Sequence, residues 1–175
     1  MRDVLLDSER IREMASLALG SDWNEERNAL MKALRRKVEI IRGAVHSNRL
    51  EALEDIFSLI FTAKRYRKQI IEVSAPDAIG DLLHALEHNN LFETERGFLA
   101  LSGAPAEVLA DAACETMHFL NPERYCLASR WVWNPERGTG ALRGVIIADR
   151  RPFNFEERQK VLWNVIAAMR DGGYR

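Results

Sequence analysis

The strongest constraint on the fold is a helical periodicity of apolar residues in two consecutive segments of about 25 residues each. The first segment places its apolar residues at Leu30, Leu34, Val38, Ile41 and Val45. The second places them on one stripe at Leu50, Leu53, Ile56, Ile60 and Ile71. Ser47 and Asn48 interrupt the pattern between the two segments. Because this connection is short, the sequence predicts a long antiparallel hairpin of two helices over 23–46 and 50–73.

The rest of the chain predicts shorter helices and one β-hairpin. Periodicity and capping residues indicate helices over 5–19, 76–88, 106–120 and 155–170. Residues 127–133 and 141–148 are rich in strand formers and flank a turn-like segment over 134–140. The predicted fold is therefore mainly α: a helical bundle with the long hairpin, and a C-terminal two-stranded β-hairpin followed by a final helix.

Length and composition favour one folded domain. The chain has 175 residues, of which 47% are hydrophobic and 29% charged, as is usual for a globular protein. We expect a single domain over 1–175, with 1–120 helical and 121–175 forming the β-hairpin and a C-terminal helix packed on it. No apolar run approaches the roughly 20 residues of a membrane span, and the N-terminus lacks the pattern of a secretory signal. These features predict a cytoplasmic protein that does not bind membranes.

Charge is balanced overall but unevenly distributed. The chain has 25 Lys and Arg against 26 Asp and Glu, which argues against a protein built mainly to neutralise nucleic-acid phosphates. Residues 76–120 contain one basic and eight acidic residues. This acidic segment either complements basic residues within the fold or faces a partner.

The predicted hairpin gathers basic side chains at one end. A reversal at Ser47 and Asn48 brings Lys32 beside Ala63, so that seven cations share this end. We call them the basic cluster: Lys32, Arg35, Arg36, Lys64, Arg65, Arg67 and Lys68. Such a cluster is a solvated face, a face neutralised by the acidic segment, or a docking face for an acidic protein surface or nucleic acid.

Two short patterns suggest a divalent metal. His84-Ala85-Leu86-Glu87-His88 resembles the H-x-x-E-H signature of the inverted zinc metallopeptidases, which implies that His84 and His88 bind a metal whose water Glu87 activates. Glu115 and His118 have the Glu-x-x-His spacing of carboxylate-bridged di-metal bundles. On a helical wheel, however, His84 and His88 lie about 140° and 180° from Ile79 on the core side. A solvated helix face is the alternative interpretation.

These observations favour a non-enzymatic interaction, regulatory or adaptor protein that presents the basic cluster to an acidic protein surface. One alternative is a metal-dependent enzyme that uses His84, Glu87 and His88, with Glu115 and His118 as further candidate ligands. A second alternative is a nucleic-acid-binding protein. The sequence predicts no catalytic residues and no cofactor other than a divalent metal, and it is compatible with a homo-oligomer.

Overall fold

The computed structural model describes residues 6–18, 23–47, 50–134, 136–146 and 155–171. These residues form α-helices joined by turns and two short 3₁₀ helices, at Lys64–Tyr66 and Ala141–Gly144. The α-helices are α1 (Ser8–Ala18), α2 (Trp23–Ser47), α3 (Leu50–Leu59), α4 (Arg67–Val73), α5 (Pro76–Glu87), α6 (Leu91–Ala100), α7 (Ala106–Leu120) and α8 (Phe155–Asp171). No helix in these ranges is both long and apolar enough to cross a bilayer.

The chain divides into two compact units, one of residues 32–127 and one of residues 1–31 with 128–175. Residues 23–31 of the long helix α2 belong to the unit of residues 1–31 and 128–175, and its residues 32–47 belong to the unit of residues 32–127. The unit of residues 32–127 is built around α5, α6 and α7, with α6 packed against both of the others. Phe57 and Phe98 meet edge to face in its core, with ring centroids 5.9 Å apart.

The predicted second helix of the hairpin is interrupted. The periodicity predicts one helix over 50–73, but α3 ends at Leu59 and α4 begins at Arg67, with a turn and a 3₁₀ helix between them. The predicted first helix agrees closely with α2. Residues 48 and 49, which include half of the predicted break, lie outside the described residues.

Helix α6 was not predicted, although a capping signal precedes it. The Asn90 side chain accepts a hydrogen bond from the backbone N–H of Glu93 at 3.2 Å, which is the N-cap geometry that Asn-x-x-Glu spacing favours. Gly97 hides the helix from a periodicity search because it replaces an apolar residue on the buried face. A Cβ there would lie 3.2 Å from the Cα of Leu82, so glycine allows α5 and α6 to approach closely.

The predicted C-terminal β-hairpin is wrong: the described residues contain no β-strand, only isolated bridges at Leu6–Ile146 and Asn134–Thr139. The reason lies in local hydrogen bonding. The backbone N–H groups of Val132 and Trp133 both donate to the carbonyl of Ser129, at 2.9 and 3.1 Å, which curls the first predicted strand into a turn. The second predicted strand forms the 3₁₀ helix instead, and its residues 147 and 148 lie outside the described part.

Three apolar residues of the predicted strands, Trp133, Leu142 and Val145, still enter a core. In the unit of residues 1–31 and 128–175, helices α1 and α8 pack together. The buried cluster beside them consists of Ile11, Trp133, Leu142, Val145 and Val161. Trp131 is 72% exposed whereas Trp133 is 3% exposed. The turn separates two side chains that an alternating strand places together.

Candidate interaction surface

The basic cluster lies on three structural elements of the unit 32–127. Lys32, Arg35 and Arg36 are exposed on α2. The other members occupy the 3₁₀ helix and the first turn of α4, where Lys64, Arg65 and Lys68 are exposed and Arg67 is half-buried. The guanidinium of Arg65 donates to the Tyr66 hydroxyl at 2.6 Å and lies over that ring.

Glu115 of α7 joins the two segments that carry the cluster. Its Oε1 accepts hydrogen bonds from Lys37 Nζ of α2 at 3.1 Å and from the backbone N–H of Phe61 at 2.9 Å. Its Oε2 accepts from the backbone N–H and the hydroxyl of Thr62, both at 3.3 Å. Only 5% of Glu115 is exposed, so its charge is compensated by these donors rather than by water. One carboxylate thus places α2 and the turn after α3 against the same point of α7.

The same contacts explain why the segment 50–73 breaks. In a continuous helix the N–H groups of Phe61 and Thr62 would donate to carbonyls four residues earlier. Here they donate to Glu115, while Ile60 and Lys64 on either side keep helical bonds to Ile56 and Ile60. A distant carboxylate therefore replaces two helical acceptors.

Two further contacts tie α2 to α7. The Lys37 ammonium lies 3.8 Å from the centre of the Phe119 ring, a cation–π contact beside its ion pair. The Arg42 guanidinium donates twice to the carbonyl of Leu120, at 3.0 and 2.8 Å. That carbonyl lies in the last turn of α7, where it has no partner in the helix and a cation is favoured.

None of the seven cations of the basic cluster forms an ion pair with a carboxylate in the described part of the chain. The ion pair between α2 and the acidic segment 76–120 uses Lys37 instead. Sequence reasoning did not select Lys37, because only the fold brings it to Glu115, 78 residues away.

The structure brings three of the candidate metal ligands together and does not bring Glu115 or His118 to them. Among the described residues, His84, Glu87 and His88 form the one group of three whose ligand atoms lie within 4.8 Å of one another. Glu115 is not in this group, and its oxygens are occupied as described above. His118 is half-buried, with Nδ1 2.8 Å from the carbonyl of Tyr125, and it also lies outside the group.

Two residues that follow α7, Tyr125 and Cys126, are buried. The backbone carbonyl of Tyr125 holds His118, and Cys126 next to it is 7% exposed. Burial raises the pKa of the Cys126 thiol to about 11, which keeps it protonated and unreactive at neutral pH.

Comparisons with protein families, with curated proteins and with solved structures find no match for this chain.

Proposed function

We propose that the protein is a non-enzymatic interaction protein, of the adaptor or regulatory kind, that binds an acidic protein segment through the basic cluster. The observation that carries the proposal is the absence of ion pairs between the cluster and any carboxylate of the described residues. The competing explanation is that the acidic segment neutralises the cluster within the fold, but the ion pair between that segment and α2 is made by Lys37, which is not a member of the cluster.

The cluster rests on a fixed support. Both parts of the cluster lie next to residues that bind Glu115. On α2, Lys37 directly follows Arg36. After α3, Lys64 comes two residues after Thr62. A support of this kind limits the entropy lost when a partner binds.

An acidic protein segment fits better than nucleic acid. The chain as a whole is close to neutral, with 25 basic and 26 acidic residues. The unit that carries the cluster also contains the acidic segment 76–120, which would repel a long phosphate backbone. A short acidic peptide contacts the cluster alone.

Binding of a fluorescent 20-residue polyglutamate peptide tests the proposal, with a single-stranded DNA of 20 nucleotides measured in parallel. The test variant combines Arg35→Glu, Arg36→Glu, Lys64→Glu and Lys68→Glu, because these side chains are exposed and need not disturb packing. We expect it to weaken peptide binding by about tenfold or more, since each reversal replaces an attraction with a repulsion.

The matched control combines Arg27→Glu, Arg96→Glu, Arg143→Glu and Arg170→Glu, four exposed cations outside the cluster. It changes net charge by the same amount and should weaken binding by less than about twofold. Equal loss in both variants would show attraction to net charge alone. Tighter binding of DNA than of peptide, with a steep decrease in salt, would replace the proposal with the nucleic-acid alternative.

A further inference from the structure

We propose that His84, Glu87 and His88 form a surface binding site for a divalent transition-metal ion, Zn²⁺ being the ion of choice for the test. This site is independent of the basic cluster and of the proposed function. The three side chains lie on the exposed last turn of α5 and at its C-cap. Their ligand atoms are within 4.8 Å of one another, and one ion can contact all three after small rotations of the side chains.

The hydrogen bond of His88 prepares this residue as a ligand. Its Nδ1 lies 2.9 Å from the backbone carbonyl of His84. A carbonyl only accepts hydrogen bonds, so Nδ1 carries the proton and donates, and the lone pair of a neutral ring is on Nε2. Donation from one ring nitrogen to a carbonyl is the usual second interaction of a metal-bound histidine, because it fixes the tautomer and the ring orientation.

The end of α5 holds the site in a defined backbone geometry. Asn89 adopts φ +52° after the helix. The N–H of Asn89 donates to the carbonyl of Leu86 at 3.1 Å, and the N–H of Asn90 donates to the carbonyl of Ala85 at 3.4 Å. This is the Schellman arrangement, which places His88 at the C-cap one turn after His84. The imidazole rings lie 4.1 Å apart, and the negative end of the helix dipole favours a bound cation.

The donor set selects the class of ion. Two imidazoles and one carboxylate suit Zn²⁺, Cu²⁺ and Ni²⁺, whereas Mg²⁺ and Ca²⁺ prefer sites made of oxygen ligands only. Three protein ligands leave the fourth position of a tetrahedral Zn²⁺ to water or to a side chain of a partner. Because all three side chains are exposed, the site supports binding of an ion rather than chemistry that needs water to be excluded.

Isothermal titration calorimetry of the untagged full chain with Zn²⁺ and with Mg²⁺ tests the site. We expect one equivalent of Zn²⁺ to bind and Mg²⁺ not to compete. The single variants His84→Ala and His88→Ala should each weaken Zn²⁺ binding about tenfold or more, and Glu87→Gln should weaken it less because the carboxylate is the weaker anchor for Zn²⁺.

His46 supplies a matched control. It is an exposed histidine near the end of α2 whose Nδ1 lies 2.7 Å from the carbonyl of Arg42, four residues earlier. Like His88, it contacts the carbonyl four residues earlier through Nδ1, but that residue is an arginine instead of a histidine. His46→Ala should therefore change Zn²⁺ affinity by less than about twofold. Failure of the wild-type chain to take up Zn²⁺ with saturation, or unchanged uptake in the double variant His84→Ala, His88→Ala, would overturn the proposal. Circular dichroism of each variant verifies that it is folded.

Discussion

The segments 23–47 and 50–73 carry the same apolar periodicity, yet they fold differently. The first is the unbroken helix α2, and the second divides into α3, a turn, a 3₁₀ helix and α4. Both segments contact α7. Helix α2 does so with the side chains of Lys37 and Arg42. The second segment does so with the backbone N–H groups of Phe61 and Thr62, which donate to Glu115. A distant acceptor interrupts a helix when it competes for the main chain, and it leaves a helix intact when it binds only side chains.

Of the substitutions that test this difference, removal of the Glu115 carboxylate should lower the stability of the protein most. Glu115→Ala leaves the Lys37 ammonium and the N–H groups of Phe61 and Thr62 without their acceptor. We expect the free energy of unfolding, measured by urea denaturation, to fall by about 3 kcal/mol.

A neighbouring acidic residue provides the control for this substitution. Glu107 is an exposed residue in the first turn of the same helix, and Glu107→Ala should change stability by no more than about 0.5 kcal/mol. Equal effects of the two substitutions would mean that Glu115 does not hold the turn.

Gly103 tests a second long-range contact with the segment 50–73. It has φ +88°, and a Cβ there would lie 2.7 Å from the carbonyl carbon and oxygen of Gln69 in α4. Gly103→Ala should therefore destabilise the protein by about 2 kcal/mol in the same denaturation experiment.

A glycine in α2 should give the opposite result, a gain in stability. Gly43 lies on α2, and in the described part of the chain no atom beyond the adjacent backbone of that helix lies within 4 Å of the position that a Cβ would take there. Gly43→Ala should therefore raise stability by about 0.5 to 1 kcal/mol through helix propensity. If both glycine substitutions shift stability in the same direction, the contrast between the two segments is wrong.

Arg42 and Arg35 compare a cation that α7 binds with one that it does not. Arg42→Ala removes both hydrogen bonds to the Leu120 carbonyl and should cost about 1 kcal/mol. Arg35→Ala removes an exposed side chain of the basic cluster and should be neutral within about 0.5 kcal/mol. Thermal unfolding followed by circular dichroism measures both, and a larger cost for Arg35 would contradict the assignment of that residue to binding.

The smallest expected effect concerns pH and the region after α7. Burial holds the pKa of Cys126 near 11, whereas the thiol in the unfolded chain ionises near 9. Between these values the unfolded state binds fewer protons than the folded state, so this thiol lowers stability as the pH rises. At pH 9 the loss should be about 0.4 kcal/mol, and it should be missing from Cys126→Ala when the two proteins are compared. Parallel curves for the two proteins would exclude this contribution.

Local patterns in the sequence predicted α2, α5, α7 and α8, since each has a clear apolar stripe and recognisable ends. These patterns did not predict the parts of the fold that depend on distant contacts, on turns or on a close approach at glycine. The break at Phe61 depends on a carboxylate 54 residues away, and Val132 and Trp133 contribute to a core from a turn rather than from a strand. Glycine at position 97 concealed α6, although the Asn90-x-x-Glu93 spacing marked its start.

The candidate sites were predictable to different extents. The three members of the metal group lie within five residues, so a short motif is enough to find them. The basic cluster could be selected from charge alone, but its connection through Lys37 and Glu115 joins residues of distant parts of the chain. Only the fold reveals which cation of α2 the acidic segment neutralises.

Amide hydrogen exchange at Phe61 and Thr62, followed by NMR, tests most directly whether Glu115 interrupts the second segment. In the wild-type chain both amides should be protected, because both donate to Glu115. In Glu115→Ala both should exchange faster than the amides of Ile60 and Lys64, which keep their hydrogen bonds to the carbonyls of Ile56 and Ile60. Fast exchange of Phe61 and Thr62 in the wild-type protein, or protection that survives the substitution, would contradict the account.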